Sequence, residues 1–256
     1  MSTIVLAHGL FGFGDLLPGF TPVNYFNGVA AHFIQQGHKV IAPQVNPIGS
    51  IKQRAGQFAS SILAQTQPDE RVHIIGHSMG GLDARHALSN NLGLAQRVAT
   101  LVTIGTPHDG SPVADAIVSK TGPLFGKIPL HFLPFLHADA GAFHDLTTAA
   151  CAQFNATTPD VVGVRYFEIA GDPSHGGHEL LLLQLAARIG EITPDVINDG
   201  VVTKASALRD NHEHLPDWPV DHLGEIGWTL KLLPTADHLR RYDEIAAMFK
   251  PAAAGA

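Results

Sequence analysis

At 256 residues, with 45% apolar and only 15% charged residues, the chain is too apolar for disorder and long enough to bury a substantial core. Sixteen basic against 23 acidic residues give a net charge of −7, which excludes a general nucleic-acid footprint. A single cysteine, Cys151, forbids an intrachain disulfide, and the 16 histidines stand out.

The pattern from the N-terminus alternates β-branched runs with helical periods, as in an α/β fold with a mostly parallel sheet. Thr3–Ala7 reads as the first strand. It follows Ser2 with no basic leader, which suggests a cytoplasmic chain, although a mature secreted chain given an added methionine would read the same. Tyr25 to Gln36 carries Val29, Phe33 and Ile34 at helical spacing and stops at Gly37. Val40–Ala42 is a second strand, and Ser50 can cap a helix marked by Ile51, Ala55, Phe58 and Ile62. Val72–Ile75 is a third strand, followed by a glycine-serine turn and a helix to about Asn91. Val98–Ile104 is a fourth.

From 121 to 150 the alternation breaks. Pro123, Pro129 and Pro134 lie among Leu124, Phe125, Phe132, Phe135 and Phe143, too apolar for an ordinary loop and too broken for one helix. This segment reads as a lid or cap inserted into a single domain spanning 1–256. Alternation resumes with a strand at Val164–Ala170, then a short apolar segment at Val201–Val202 and a terminal helix from Asp237 to Phe249. The richest apolar run, Glu179 to Ile189, is interrupted by Gln184 and Arg188, so stable membrane insertion is not expected.

The turn after the third strand reads Gly76-His77-Ser78-Met79-Gly80-Gly81, a G-x-S-x-G elbow between strand and helix. Such a turn lifts the Ser78 hydroxyl above the sheet edge, where it can act as a nucleophile given a base and an acid to orient that base. His222 is the expected base. His238 lies in the terminal helix and is expected on the surface, while His212 and His214 sit in a polar stretch that reads as solvated loop. For the acid, Asp199 in an Asn-Asp-Gly turn and Asp172 at a strand end both remain open on the residues alone.

Three segments together resemble the bacterial triacylglycerol lipases of the α/β-hydrolase superfamily, closest to the Pseudomonas and Burkholderia type. They are Leu6-Ala7-His8-Gly9-Leu10-Phe11-Gly12, the elbow, and Gly105-Thr106-Pro107-His108-Asp109-Gly110-Ser111. The likeness runs from Thr3 to about Asp115 and thins to islands at Asn198–Val202 and Asp221–Ile226. It implies an α/β-hydrolase fold, Ser78 as nucleophile, Asp199 as acid and His222 as base, with the Leu10 and Met79 amides as the oxyanion hole. The implied activity is carboxylic ester hydrolysis. His8 then reads as a loop anchor, and His77 as packing beside the elbow.

Phe11, Phe125, Phe132 and Phe135 are the candidate substrate contacts. Lipases of this type hold a structural calcium through an aspartate two residues after the catalytic histidine, and Gly224 stands there, so no metal and no cofactor are expected. The histidine pairs 175/178 and 212/214 fall short of the three or four ligands a zinc site needs. The expected partner is a lipid or ester small molecule, with transient contact to a lipid interface. An acyltransferase could use the same triad, and a non-catalytic binding protein could share the fold.

Overall fold

The computed structural model describes residues 1–10, 22–127, 141–175, 180–193, 197–228 and 235–249. Six strands form one parallel sheet in the order β2-β1-β3-β4-β5-β6. They are β1 (Thr3–Ala7), β2 (Lys39–Ile41), β3 (Val72–His77), β4 (Val98–Ile104), β5 (Arg165–Ile169) and β6 (Glu213–His214). The helices are α1 (Pro22–Tyr25), α2 (Val29–Gln35), α3 (Ile51–Gln65), α4 (Met79–Ser89), α5 (Pro112–Ser119), α6 (Gly141–Asp145), α7 (Thr148–Thr157), α8 (Leu180–Ile192), α9 (Lys204–Ala207) and α10 (Ala236–Ala247).

A parallel sheet must be covered on both faces, and the period of two along β1 shows how. Ile4 and Leu6 face Phe26, Val29 and Phe33 beside α2, with Ile245 of α10. Val5 and Ala7 face the other core, built from Ala55, Phe58 and Ile62 of α3 and Ala84 and Leu88 of α4. Local chemistry sets the helix starts. The Ser50 hydroxyl accepts from Gln53 N at α3, and Ser111 caps α5 with Pro112 following it.

The expected helix over 25–36 is broken. Asn27 and Gly28 both adopt positive φ, and the Asn27 amide donates to Gly227 O at 2.6 Å, so a tertiary tie overrides helical continuity. The short edge strand β6 was not apparent from sequence, because two exposed polar residues carry no strand period. Val201–Val202 forms no strand; its amides serve the Asp199 turn instead.

Of the 121–150 insertion, the described parts are a 3₁₀ turn at Phe125–Lys127, α6 and the start of α7. Residues 128–140, with Phe132 and Phe135, lie outside the described residues, as do Phe11 and His178. No described helix is long and apolar enough to cross a membrane.

The strand order fixes where a site can form. From β1 the chain steps outward to β2, then returns to place β3 on the other side of β1. The carboxyl ends of β1 and β3 thus flank the point where the order reverses, where open α/β sheets bind ligands.

Candidate active site

Ser78 leaves β3 and caps α4 with φ 55° and ψ −132°, a strained conformation for a non-glycine residue. The surrounding main chain compels it. A β-carbon on Gly80 would sit on the Ala7 carbonyl oxygen, 2.7 Å from Ala7 C and 2.8 Å from His8 O. The chain therefore turns against the β1 end with no side chain between. Ser78 N bonds Ile104 O at 2.9 Å, and Ser78 O accepts from Thr106 Oγ1 at 2.9 Å, so the elbow is anchored to β4 and the loop after it.

His222 comes to this elbow from the far end of the chain. Its Nδ1 lies 2.7 Å from Asp199 Oδ2, and its own main-chain N donates to Asp199 O at 3.0 Å. The other carboxylate oxygen of Asp199 accepts from Val201 N at 2.8 Å and Val202 N at 2.7 Å. The aspartate is held on both sides and orients the imidazole, leaving Nε2 as the atom available to a nucleophile. Asp172 is placed otherwise: its Oδ1 accepts from Ser174 N at 3.1 Å. The His222 ring centroid lies 4.5 Å from that of His77, the residue before Ser78.

Leu10 follows a residue that closes on the serine, and Met79 follows the serine itself. Gly9 approaches so closely that a β-carbon there would lie 2.7 Å from Ser78 Cβ, and Leu10 follows it. Met79 is the first residue of α4, where helix amides have no intrahelical partner. Phe125 and Leu10 pack on an apolar cluster of Val113, Ile117, Leu124, Phe143, Leu182 and Ile189, together with Val201 and Leu223. These last two neighbour Asp199 and His222, so an apolar wall adjoins the polar centre.

A second buried carboxylate was not assigned to this centre on sequence. Glu225 is fully buried, with Oε2 3.0 Å from His77 Nε2 and 3.3 Å from His222 Nδ1. Its Oε1 finds no hydrogen-bond partner among the described residues. Burial, followed by the Asp199 charge, raises the Glu225 pKa to about 8. The only signal for it was spacing: Glu225 stands three residues after His222, entering a 3₁₀ turn that brings the two side chains to one side.

His77 is held well below the usual histidine range, first by burial and then by His222. A neutral His77 can accept from Tyr25 OH at Nδ1, 2.8 Å away, and donate from Nε2 to Glu225 and to His222 O at 3.2 Å. Burial alone would lower His222, yet Asp199 and then Glu225 outweigh it and hold its pKa well above the ordinary value.

His77, His222 and Glu225 bring one donor atom each within 4.8 Å of one another, the spacing a metal ion would need. His77 Nε2 and Glu225 Oε2 already bond each other, and His222 Nδ1, the nitrogen 3.3 Å from Glu225 Oε2, is the atom Asp199 holds. A metal bound through that nitrogen would displace the bond that orients the ring. At the position two residues after His222, a β-carbon on Gly224 would stand 2.8 Å from Val220 Cβ, so an aspartate does not fit without rearrangement.

Two expectations about histidines are corrected. The His212 side chain is enclosed, only 3% exposed: Nδ1 lies 2.6 Å from Glu168 Oε1 and Nε2 3.0 Å from Asp160 Oδ2, while the ring stacks on Tyr166. Glu168 also meets His108 Nε2 at 3.1 Å, which ties β5 to the loop after β4. His238 is buried rather than on the surface, packed edge-on against Tyr242. His8 anchors its loop, with Nδ1 2.9 Å from Gly9 O and Nε2 accepting from Val45 N at 3.4 Å.

Comparison with known proteins follows the same lines. A PGAP1-like alpha/beta domain model matches residues 44–121. Triacylglycerol lipase 2 of Saccharomyces cerevisiae is 31% identical over 82% of this chain, which spans 64% of that relative's length. A triacylglycerol lipase of Vibrio cholerae is 30% identical over 89% of this chain and 80% of its own. Among solved structures, a Bacillus licheniformis lipase in mature form superposes with TM-score 0.74 at 21% identity, covering 98% of this chain and 92% of that one. The Staphylococcus hyicus lipase gives TM-score 0.74 at 17% identity over 97% and 95%. With a parallel sheet, a serine elbow at its switch point and these relatives, the chain belongs to the lipase family of α/β-hydrolases, enzymes that cleave carboxylic esters.

Proposed function

We propose that this chain hydrolyses carboxylic esters with an apolar acyl part through an acyl-enzyme on Ser78, with His222 as base and Asp199 as its orienting acid. The observation that carries the reading is the 2.7 Å bond from His222 Nδ1 to Asp199 Oδ2, beside a serine strained at φ 55°. Asp199 keeps the proton on Nδ1, so Nε2 can take the Ser78 proton as the hydroxyl oxygen attacks the ester carbonyl carbon. The negative charge that develops on the carbonyl oxygen is met by the Leu10 and Met79 amides. His222 returns the proton to the leaving alcohol as the acyl–oxygen bond breaks. Water then repeats the sequence, releasing the carboxylic acid and restoring the Ser78 hydroxyl.

The apolar wall of Leu124, Phe125 and Phe143 beside Leu10 supports an acyl site on that side, and the 121–150 segment is read as its cap. A fluorophosphonate probe tests the assignment: it should label Ser78 with one adduct per chain, and hydrolysis of p-nitrophenyl esters should be lost in step. Labelling elsewhere, or activity that survives full labelling, would overturn it. Chain-length profiles with and without an oil interface would separate a lipase preference from an esterase one. Localisation is proposed as cytoplasmic on the sequence reading alone, and fractionation of the native host tests it.

A further inference from the structure

Arg54 is fully buried, an unusual place for a guanidinium, and the mechanism above does not use it. Its Nε donates to Asp83 Oδ2 at 2.8 Å and its Nη1 to Asn46 O at 3.0 Å. Its Nη2 reaches His8 O at 2.7 Å and Gly9 O at 3.3 Å. Gly9 O is also 2.9 Å from His8 Nδ1. Burial, then the Arg54 charge, pushes the His8 pKa down to about 3, so its ring is neutral. With Nε2 accepting from Val45 N, Nδ1 carries the hydrogen and donates.

The Gly9 carbonyl and the Leu10 amide belong to one peptide group. In a trans peptide the C=O and N–H lie in one plane and point in opposite directions. Donors that grip the carbonyl therefore set the direction of the amide. We propose that Arg54 and His8 are positioning residues for the oxyanion hole: by holding Gly9 O they aim the Leu10 N–H at the oxygen of the ester carbonyl attacked by Ser78. The positive guanidinium also polarises that peptide and strengthens its N–H as a donor.

A purely stabilising role accounts poorly for the arrangement, because a buried ion pair is often no more stabilising than apolar residues of the same volume. What Arg54 adds is a planar fork whose Nη2 reaches two successive carbonyls of one loop, while Asp83 Oδ2 fixes the fork at Nε, 2.8 Å away, and lies 2.7 Å from the same Nη2. The inference rests on the reading of Leu10 as an oxyanion donor.

The test compares an activated ester with its thionoester, whose sulfur gains little from an amide donor. Wild type should prefer the ester. Arg54→Lys keeps a charge beside Asp83 but loses the fork. It should lower kcat on the ester about 10- to 100-fold with KM within about twofold, and lower the ester-to-thionoester ratio by a similar factor. Arg54→Met should lower that ratio further. His8→Leu, which leaves the ion pair intact, should lower it less, and it decides the matter if neither Arg54 variant folds. Folded variants with the wild-type ratio, including any that lose ester and thionoester turnover equally, would overturn the inference. A wild-type enzyme without ester preference would instead overturn the reading of Leu10, and the inference with it.

Discussion

Changing Glu225 to Gln should move the acidic limb of the pH–rate profile to lower pH. The base must be neutral to accept the Ser78 proton, so kcat/KM rises with pH as His222 loses its own. Two carboxylates face His222 Nδ1, Asp199 Oδ2 at 2.7 Å and Glu225 Oε2 at 3.3 Å, and both favour the imidazolium. A full charge at the second distance, with an effective dielectric constant near 20, is worth about 5 kcal/mol, or between roughly 3 and 4 pKa units. That is a ceiling. Burial and then the Asp199 charge raise the Glu225 carboxyl's own pKa, so near neutrality it carries less than a full charge and its influence grows as pH rises.

The expected displacement is therefore roughly one unit towards acid. The substitution is nearly isosteric, and the new amide oxygen can still accept from His77 Nε2. The assay is kcat/KM on a soluble p-nitrophenyl ester from pH 5 to 10, with the melting temperature recorded at each pH. In wild type the limb should lie above the ordinary histidine value of about 6.5. An unmoved limb in a folded variant, or one displaced towards alkali, would refute the role given to Glu225.

Ser78→Ala should lower kcat by about 10⁶ without unfolding the protein; a variant keeping a tenth of the activity would remove Ser78 as nucleophile. Gly80→Ala drives a β-carbon onto the Ala7 backbone, which has no flexible end to yield, and should cost about 3 kcal/mol or more in urea denaturation. Burial alone would raise the Glu168 carboxyl, but His108 and then His212 hold it at about 2. A carboxylate depressed in the folded state stabilises above its unfolded pKa and loses that contribution as pH falls through the folded one. Glu168→Gln should thus remove roughly 3 kcal/mol at neutral pH and flatten the fall in stability between about pH 4.5 and 2. A chelator should leave the melting temperature unchanged, because Gly224 supplies no carboxylate and a β-carbon there would already stand 2.8 Å from Val220 Cβ. A drop of several degrees would show otherwise.

The sheet was largely legible in sequence because a buried parallel strand needs a run of apolar, β-branched residues, and β1 and β4 supply these residue for residue. The elbow was legible for a different reason: its glycines answer a local steric demand that no other residue meets. Glu225, Arg54 and His212 were not legible in these roles. Each is a polar residue whose partners stand far off in the chain, 148, 46 and 44 residues away in the bonds to His77, His8 and Glu168, and no local period marks such a pairing. Composition suggested surface for His212 and His238, whereas the side chain of the first and the whole of the second are enclosed by long-range packing.

The buried charges of this chain fall into two groups with different consequences. Glu168, His108 and His212 satisfy one another around β5, and their loss should be felt in stability at acid pH. Arg54, Asp83, Glu225 and His77 instead surround the point where β1 and β3 end, and each leads towards a reacting group. Arg54 and His8 meet the peptide that presents Leu10, while Tyr25, His77 and Glu225 form a chain ending beside His222. Burying so many polar groups is costly unless each is paired, and here much of the pairing fixes the direction of an amide or a ring rather than filling space. On that account, substitutions in the second group should depress turnover at temperatures where the protein remains folded. Those around Glu168 should alter activity only as far as they unfold it.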